Sequence, residues 1–238
     1  MKKGREMDAL PVAALRNRDR SRHAAPQVFE QLREMITSLT LAPGTVLNRL
    51  TLQQEFGLSS TPIRDALLRL QDDGLVEIFP QHATVVSPID LTLAHQAHFL
   101  RRSLELEIVR SLALAPEPRL IARLQGFLAQ QQALMEAEDF EAFAAADQAF
   151  HQHLYEAAQM YDLWTLVRSR SGHIDRLRRL HLPTPGKAQG IVQHHRLIVQ
   201  AIADGEPEEA QRHLRDHLSG TLSHVDEIRA KYPGYVRG

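Results

Sequence analysis

LQQEFGLSSTPIRDALLRLQDDGLVEIFPQHATVV, residues 52–86, changes its hydrophobic period once along its length, and that change decides the fold of the first part of the chain. Leu52 to Phe56 form a short helix stopped by Gly57, which can adopt the left-handed backbone of a helix end. Ser59 or Ser60 is placed to cap a second helix starting near Pro62, with Ile63, Ala66, Leu67 and Leu70 on one face and Gly74 just past its end. Two helices joined by Gly57-Leu58-Ser59-Ser60 match the helix-turn-helix plan. Beyond Gly74, Leu75–Phe79 and Ala83–Val86 are short β-type runs around Pro80-Gln81-His82, a hairpin or wing.

Upstream, residues 26–40 place Val28, Phe29, Leu32, Met35, Ile36 and Leu39 at helical spacing behind Pro26, and Ala42-Pro43-Gly44-Thr45 is a turn. Downstream, Asp90 is placed to cap a helix beginning at Leu91, and from there strand signals almost vanish. Helical patterns cover about 91–114, 118–136, 139–158, 161–181, 187–204 and 207–231, broken by Pro and Gly. The expectation is a mainly α protein: an N-terminal winged helix-turn-helix and a C-terminal antiparallel bundle of six or more helices. We divide it into a flexible basic arm (1–22), a winged helix-turn-helix DNA-binding domain (23–88) and an all-helical domain (89–232) for metal, effector and dimerisation.

The formal net charge of −1 says nothing for nucleic acid until it is divided. Residues 1–22 carry seven basic against three acidic residues, residues 23–90 four against eight, and the rest seventeen against eighteen. The chain has no cysteine, so a disulfide framework and a thiolate metal site are both excluded, and any metal must be held by His, Asp or Glu. No apolar run approaches the ~18 residues of a membrane span and no signal-peptide core is present, which reads as a soluble, cytoplasmic protein.

In a helix-turn-helix the N-terminal residues of the second helix reach base edges and phosphates. Arg64 is the base reader there, since arginine can donate two hydrogen bonds to guanine, and Thr61 steadies a phosphate or makes a single contact. In the helical part, a period of 100° per residue puts Asp147 and His151 within the apolar stripe of Phe140, Phe143, Phe150, Leu154 and Ala158. A carboxylate buried in such a stripe needs a metal, or an Asp–His or Asp–Arg hydrogen bond. His195 lies about 40° from the apolar direction of helix 187–204 and His194 about 60° off on the other side. His217 shares the inward face of the last helix with Ala210, Leu214, Thr221 and Ile228. One Asp and three His form an oxygen–nitrogen set suited to a divalent ion: zinc first, or nickel, manganese or iron(II).

The segment Val28–Val86, with Leu41-Ala42-Pro43-Gly44, the run Thr61-Pro62-Ile63-Arg64-Asp65-Ala66-Leu67 to Leu70, and Asp73-Gly74-Leu75-Val76, resembles the GntR superfamily of winged-helix regulators. The resemblance implies a homodimer that reads a short palindrome in double-stranded DNA through this helix and the wing. Arg49, Ser60, Thr61, Arg64 and His82 are the implied DNA-contacting set, although Ser60 and His82-Ala83 stand where the family often has arginine and Arg-Gly. Residues 92–228 resemble the all-helical ligand-sensing (FCD) domain of the FadR-type branch. Its metal-binding subset maps onto Asp147, His151, His195 and His217, with His194 where Glu is common. Arg101, in the Arg-x-x-Leu-Glu pattern ending at Glu105, matches an arginine that faces the family's pocket; here it either clamps an effector carboxylate or pairs within its helix with Glu105.

These features point to a DNA-binding transcription regulator, a repressor, that responds to a small carboxylate bound at a divalent metal. The rival reading is a metal-dependent hydrolase or oxidase using the same Asp and His. It is weakened because neither His-Glu-x-x-His nor Glu-x-x-His occurs in the chain.

Overall fold

The computed structural model describes Asp19, residues 23–80 and residues 82–238; most of the basic arm lies outside the described residues. Two compact units emerge. The first holds the described residues up to Ala94 together with Gly172–Arg176 and Arg229–Gly238, and the second His95–Ser171 with Leu177–Ile228.

In the first unit, α1 (Ala24–Thr37), α2 (Arg49–Phe56) and α3 (Ser60–Asp72) precede the hairpin of β2 (Val76–Phe79) and β3 (Ala83–Val86). The apolar faces read from the sequence close on one another: Val28, Leu32 and Ile36 of α1 pack with Leu52, Ile63, Leu67 and Leu70, sealed by Leu75 and Val86. Gly57 ends α2 in the left-handed region (φ 61°). Asn48, not anticipated as a cap, accepts hydrogen bonds from the backbone N–H of Leu50 (2.9 Å) and Thr51 (3.3 Å). Ser59 precedes α3 as expected, but its side chain makes no capping bond.

The sheet is larger than the hairpin alone. Strand β1 (Val46–Leu47) pairs antiparallel with β3, giving the order β1-β3-β2. A second, parallel pair joins β4 (Ile89–Asp90) to β5 (Val236–Arg237), and two-residue strands of this kind leave no readable alternation. Asp90 caps the next helix as expected, accepting from Leu93 N–H at 3.1 Å. The residues Gly172–Arg176 add a buried polar knot. Arg176, 0% exposed, donates to Ser87 O (2.7 Å) and to His173 Nδ1 (2.9 Å), and the Asp90 N–H also donates to His173 Nδ1 (2.9 Å).

The second unit is built from helices: α4 (Leu91–Leu114), α5 (Pro118–Glu136), α6 (Phe140–Ala157), α7 (Tyr161–Arg170), α8 (Gly172–His181), α9 (Lys187–Ala203) and α10 (Pro207–Ser219), with a 3-10 turn (Leu222–His224) and α11 (Val225–Lys231), of which α4, α8 and α11 each begin or end in the first. Its core gathers Val109, Leu124, Phe150, Leu154, Ile198, Ile202 and Leu214. Two stretches expected to be continuous helices are broken. Pattern 161–181 divides at Ser171, where Gly172 allows close approach to Leu75: an added Cβ would lie 2.7 Å from a Leu75 methyl. Pattern 207–231 divides at Gly220. No helix among the described residues is long and apolar enough to cross a membrane.

Candidate metal centre

Three helices of the second unit contribute to one buried cluster. Asp147 and His151 project from α6, His195 from α9 and His217 from α10, and one ligand atom from each lies within 4.8 Å of all the others. The i, i+4 spacing puts the first two on one face of α6, between Phe143, Phe150 and Leu154. His195 is fully buried, which resolves the choice between it and His194; the His194 ring stands 6.3 Å from that of His217, outside the cluster.

The surrounding bonds fix which nitrogen each ring offers. Gln131 on α5 is fully buried, and its amide NH2 donates to Ala146 O at 3.2 Å. Because that carbonyl can only accept, the Gln131 oxygen must face His195 Nδ1, 2.8 Å away, and Nδ1 must carry the proton. Nε2 of His195 is therefore a bare lone pair. At His151, Glu105 Oε2 lies 2.9 Å from Nδ1 without completing a hydrogen bond, and its negative charge favours the tautomer that carries the proton on Nδ1. Both Nε2 lone pairs point at His217 Nε2, which is 3.1 Å from that of His151 and 3.2 Å from that of His195. One hydrogen on His217 cannot fully serve two acceptors. Asp147 Oδ1 adds another acceptor, buried without a hydrogen-bond partner, at 3.7 Å from His195 Nε2 and 4.0 Å from His151 Nε2.

A cation is the group that such a donor set fits. Nitrogens bound to one ion at ~2.0–2.1 Å stand about 2.9–3.4 Å apart, the range in which the His217 pairs already lie. Protonation states agree. Burial lowers His151 from its ordinary value and holds His195 and His217 well below theirs, so all three rings are neutral. Burial alone would raise Asp147, but Arg178 and the neighbouring rings outweigh it and keep the carboxyl ionised, well below the usual range. Burial also raises Glu105, and Arg101 and His151 overcome it to leave the acid at about 2.

Two partners foreseen as alternatives to a ligand role are present. Asp147 Oδ2 pairs with Arg178 of α8, and Arg101 Nε pairs with Glu105 at 2.7 Å. Neither pairing empties the site: Asp147 Oδ1 is left over, and the terminal nitrogens of Arg101 make no hydrogen bond with the described residues. Sequence reasoning missed Arg178, the supporting role of Glu105, and Gln131. Gln131 did leave a signal, because it continues the buried line Leu120, Leu124 and Leu128 of α5.

In the first unit, Ser60, Thr61 and Arg64 are exposed on the first turns of α3 while Ile63, Ala66, Leu67 and Leu70 face the core. Arg49, at the start of α2, and His82, between the wing strands, are exposed or partly so. Among the described residues Arg64 meets the Asp65 carboxylate alone, at 3.6 Å with both side chains largely in solvent, a weak tether.

Comparison with known proteins recognises two segments of the chain. Residues 24–86 match the bacterial regulatory proteins of the gntR family, and residues 96–220 match the FCD domain. An HTH-type transcriptional regulator in an unstable DNA locus of Streptomyces ambofaciens is 34% identical over 206 residues, 87% of this chain and 86% of that protein. The HTH-type transcriptional repressor RspR of Escherichia coli (strain K12) is 26% identical over 203 residues, 85% of this chain and 89% of its own. Among solved structures, E. coli McbR/YncC superposes with a TM-score of 0.72 at 21% identity, covering 89% of this chain and 99% of that one. The enzyme reading finds no support among these relatives. The chain belongs to the gntR family of bacterial regulatory proteins, carries an FCD domain, and is a transcription regulator rather than an enzyme.

Proposed function

We propose that the protein is a homodimeric repressor whose hold on a palindromic operator is set by a small carboxylic acid bound at a divalent ion, zinc first among the candidates. Asp147, His151, His195 and His217 hold the ion. The observation that carries this reading is the convergence of three imidazole rings and an unpartnered buried carboxylate oxygen, one ligand atom from each within 4.8 Å of the others, a set that a cation satisfies throughout. The bound ion would supply Lewis-acid positions for an oxygen donor. The chain's own residues do the rest: Gln131 and Glu105 orient the rings, Arg178 keeps Asp147 ionised, and the terminal nitrogens of Arg101 receive the acid. On the DNA side, Arg64 reads a base, Ser60 and Thr61 engage the adjacent backbone, and Arg49 and His82 contact the flanking phosphates.

Acid and operator are then linked ligands, and each must change the affinity of the other by the same factor. Calorimetric titration of a trial acid into metal-loaded protein, with and without operator DNA, tests this. Equal shifts in the two affinities support the reading. An acid that alters DNA binding without any reciprocal change would show that it acts by stripping metal.

A further inference from the structure

The wing approaches DNA with no charge in its favour. Residues 75–90, the hairpin and the strand after it, contain no Lys or Arg and two acids, Glu77 and Asp90. Strand alternation sets the direction of the first. Val76 and Ile78 of β2 pack on the core with Val86 of β3, so Glu77 and Phe79 share the opposite, outer face. Three residues of strand separate Glu77 from Pro80 in the turn, about 10 Å, which is about one Debye length at 0.1 M salt. A bare carboxylate at that distance would repel the phosphates that the turn meets.

The C-terminal segment supplies a cation. Residues 229–238 carry Arg229, Lys231 and Arg237 and no acidic side chain, and they belong to the same compact unit as the wing. Their path is set locally. Tyr232-Pro233-Gly234-Tyr235 is a turn closed by Tyr235 N–H, which donates to Tyr232 O at 3.2 Å; proline fills its second position and glycine, at φ 88°, its third. Ile89 N–H then donates to Tyr235 O at 2.7 Å, and the parallel pairing sets Arg237 beside Asp90. Arg229 donates to Gly238 O, closing the segment on itself. From this register Arg237 reaches both acids of the wing segment: its Nη1 lies 2.6 Å from Glu77 Oε1 and its Nε 3.4 Å from Asp90 Oδ2.

Folding gains little from this contact. The Arg237 side chain is 52% exposed and that of Glu77 39%, and ion pairs so open to water contribute little to stability. The same pair matters more to a polyanion, because it cancels the one charge on the outer face of β2.

We propose that Arg237 is a built-in counter-ion for the wing: held by the β4–β5 pairing, it neutralises Glu77 so that the hairpin can lie against the DNA backbone. The inference rests on the reading of the wing as a DNA-contacting element and goes beyond it in giving the C-terminal segment a part in DNA binding.

The test is a double-mutant cycle on the full chain. The probe is a short duplex that the wild-type protein selects from a random pool, and affinity is read by fluorescence anisotropy at about 0.1 M salt and above. Arg237→Ala should weaken binding by about three- to tenfold, with the deficit narrowing as salt rises. Adding Glu77→Gln to that variant should return the affinity to within about twofold of wild type, and Glu77→Gln alone should bind at least as tightly as wild type. Thermal midpoints of the variants should stay close to that of wild type. An Arg237→Ala chain that binds as wild type would overturn the inference. A double variant as weak as Arg237→Ala would show that Arg237 touches the DNA itself or acts as a structural clasp, and would overturn it too. His82→Ala separates this from the underlying reading: if it weakens binding while Arg237→Ala does not, the counter-ion role alone fails, and if neither variant changes the affinity, the wing is not a DNA-contacting element and both readings fail.

Discussion

Gln131 accepts a hydrogen bond from Nδ1 of His195 at 2.8 Å, and this one contact decides that His195 presents Nε2 as a lone pair to the cluster. The orientation of Gln131 is itself fixed by Ala146 O, so ring and amide are locked together. Supporting partners of this kind are generally worth 10–100-fold in metal affinity. Gln131→Leu, close in volume, should therefore weaken zinc binding by about that factor, read by chelator competition, with the helical circular-dichroism signal unchanged. Unaltered zinc affinity would mean that the ring is oriented by packing against Phe150, 4.1 Å away, and not by the amide.

The buried knot of the first unit makes stability depend on pH. His173 Nδ1 accepts from both Asp90 N–H and Arg176, so a proton there would break two bonds; burial, followed by the Arg176 charge, lowers its pKa to about 4. The unfolded chain takes up this proton near the ordinary value of about 6.5. Stability from this group is thus fully present above about pH 6.5 and is lost as pH falls toward 4, up to ~3 kcal/mol in all. Urea unfolding of the full chain in excess chelator should show this loss, and His173→Gln should remove it. Parallel pH profiles for the two proteins would refute the assignment.

Much of this could be read from the sequence because it rests on local period. The faces of α1 and α3, the wing, and the inward positions of Asp147, His151 and His217 all derive from spacing within one element. The features that escaped depend on chain far away. Residues 236–237 pair with 89–90, and Gly172, the first residue of α8, lies close against Leu75, 97 positions earlier in the sequence. Arg178 was hidden for the same reason, since its partner Asp147 is 31 residues distant on another helix. The Arg101–Glu105 pair was foreseen as one of two possibilities because it joins neighbouring turns of α4.

On the DNA side, Arg64→Ala should cost about 1–3 kcal/mol of operator affinity and relax the preference at one base step per half-site, because among the described residues its ion pair is a solvent-exposed one with Asp65. Binding to a panel of single-base operator variants measures both effects. An unchanged preference profile would reassign Arg64 to the phosphate backbone.

Arg101 calls for a gentler change. Arg101→Ala would strand the fully buried Glu105 carboxylate without its cation, at a cost of about 3–5 kcal/mol that would obscure any effect on the acid. Arg101→Lys keeps the charge and loses the planar fork. It should retain zinc and weaken binding of the trial acid by about tenfold, the value of one charge-assisted hydrogen bond. Full affinity for that acid in the variant would confine Arg101 to its pairing with Glu105.

The most direct measurement is the metal content of the purified full chain and its single variants by elemental analysis. Wild-type protein should carry about one divalent ion per chain, lost in Asp147→Ala, His151→Ala, His195→Ala and His217→Ala but kept in His194→Ala, His213→Ala and His224→Ala, whose rings lie outside the cluster. Metal retained at full occupancy without His217, or metal lost equally from the three outlying variants, would contradict the proposed centre.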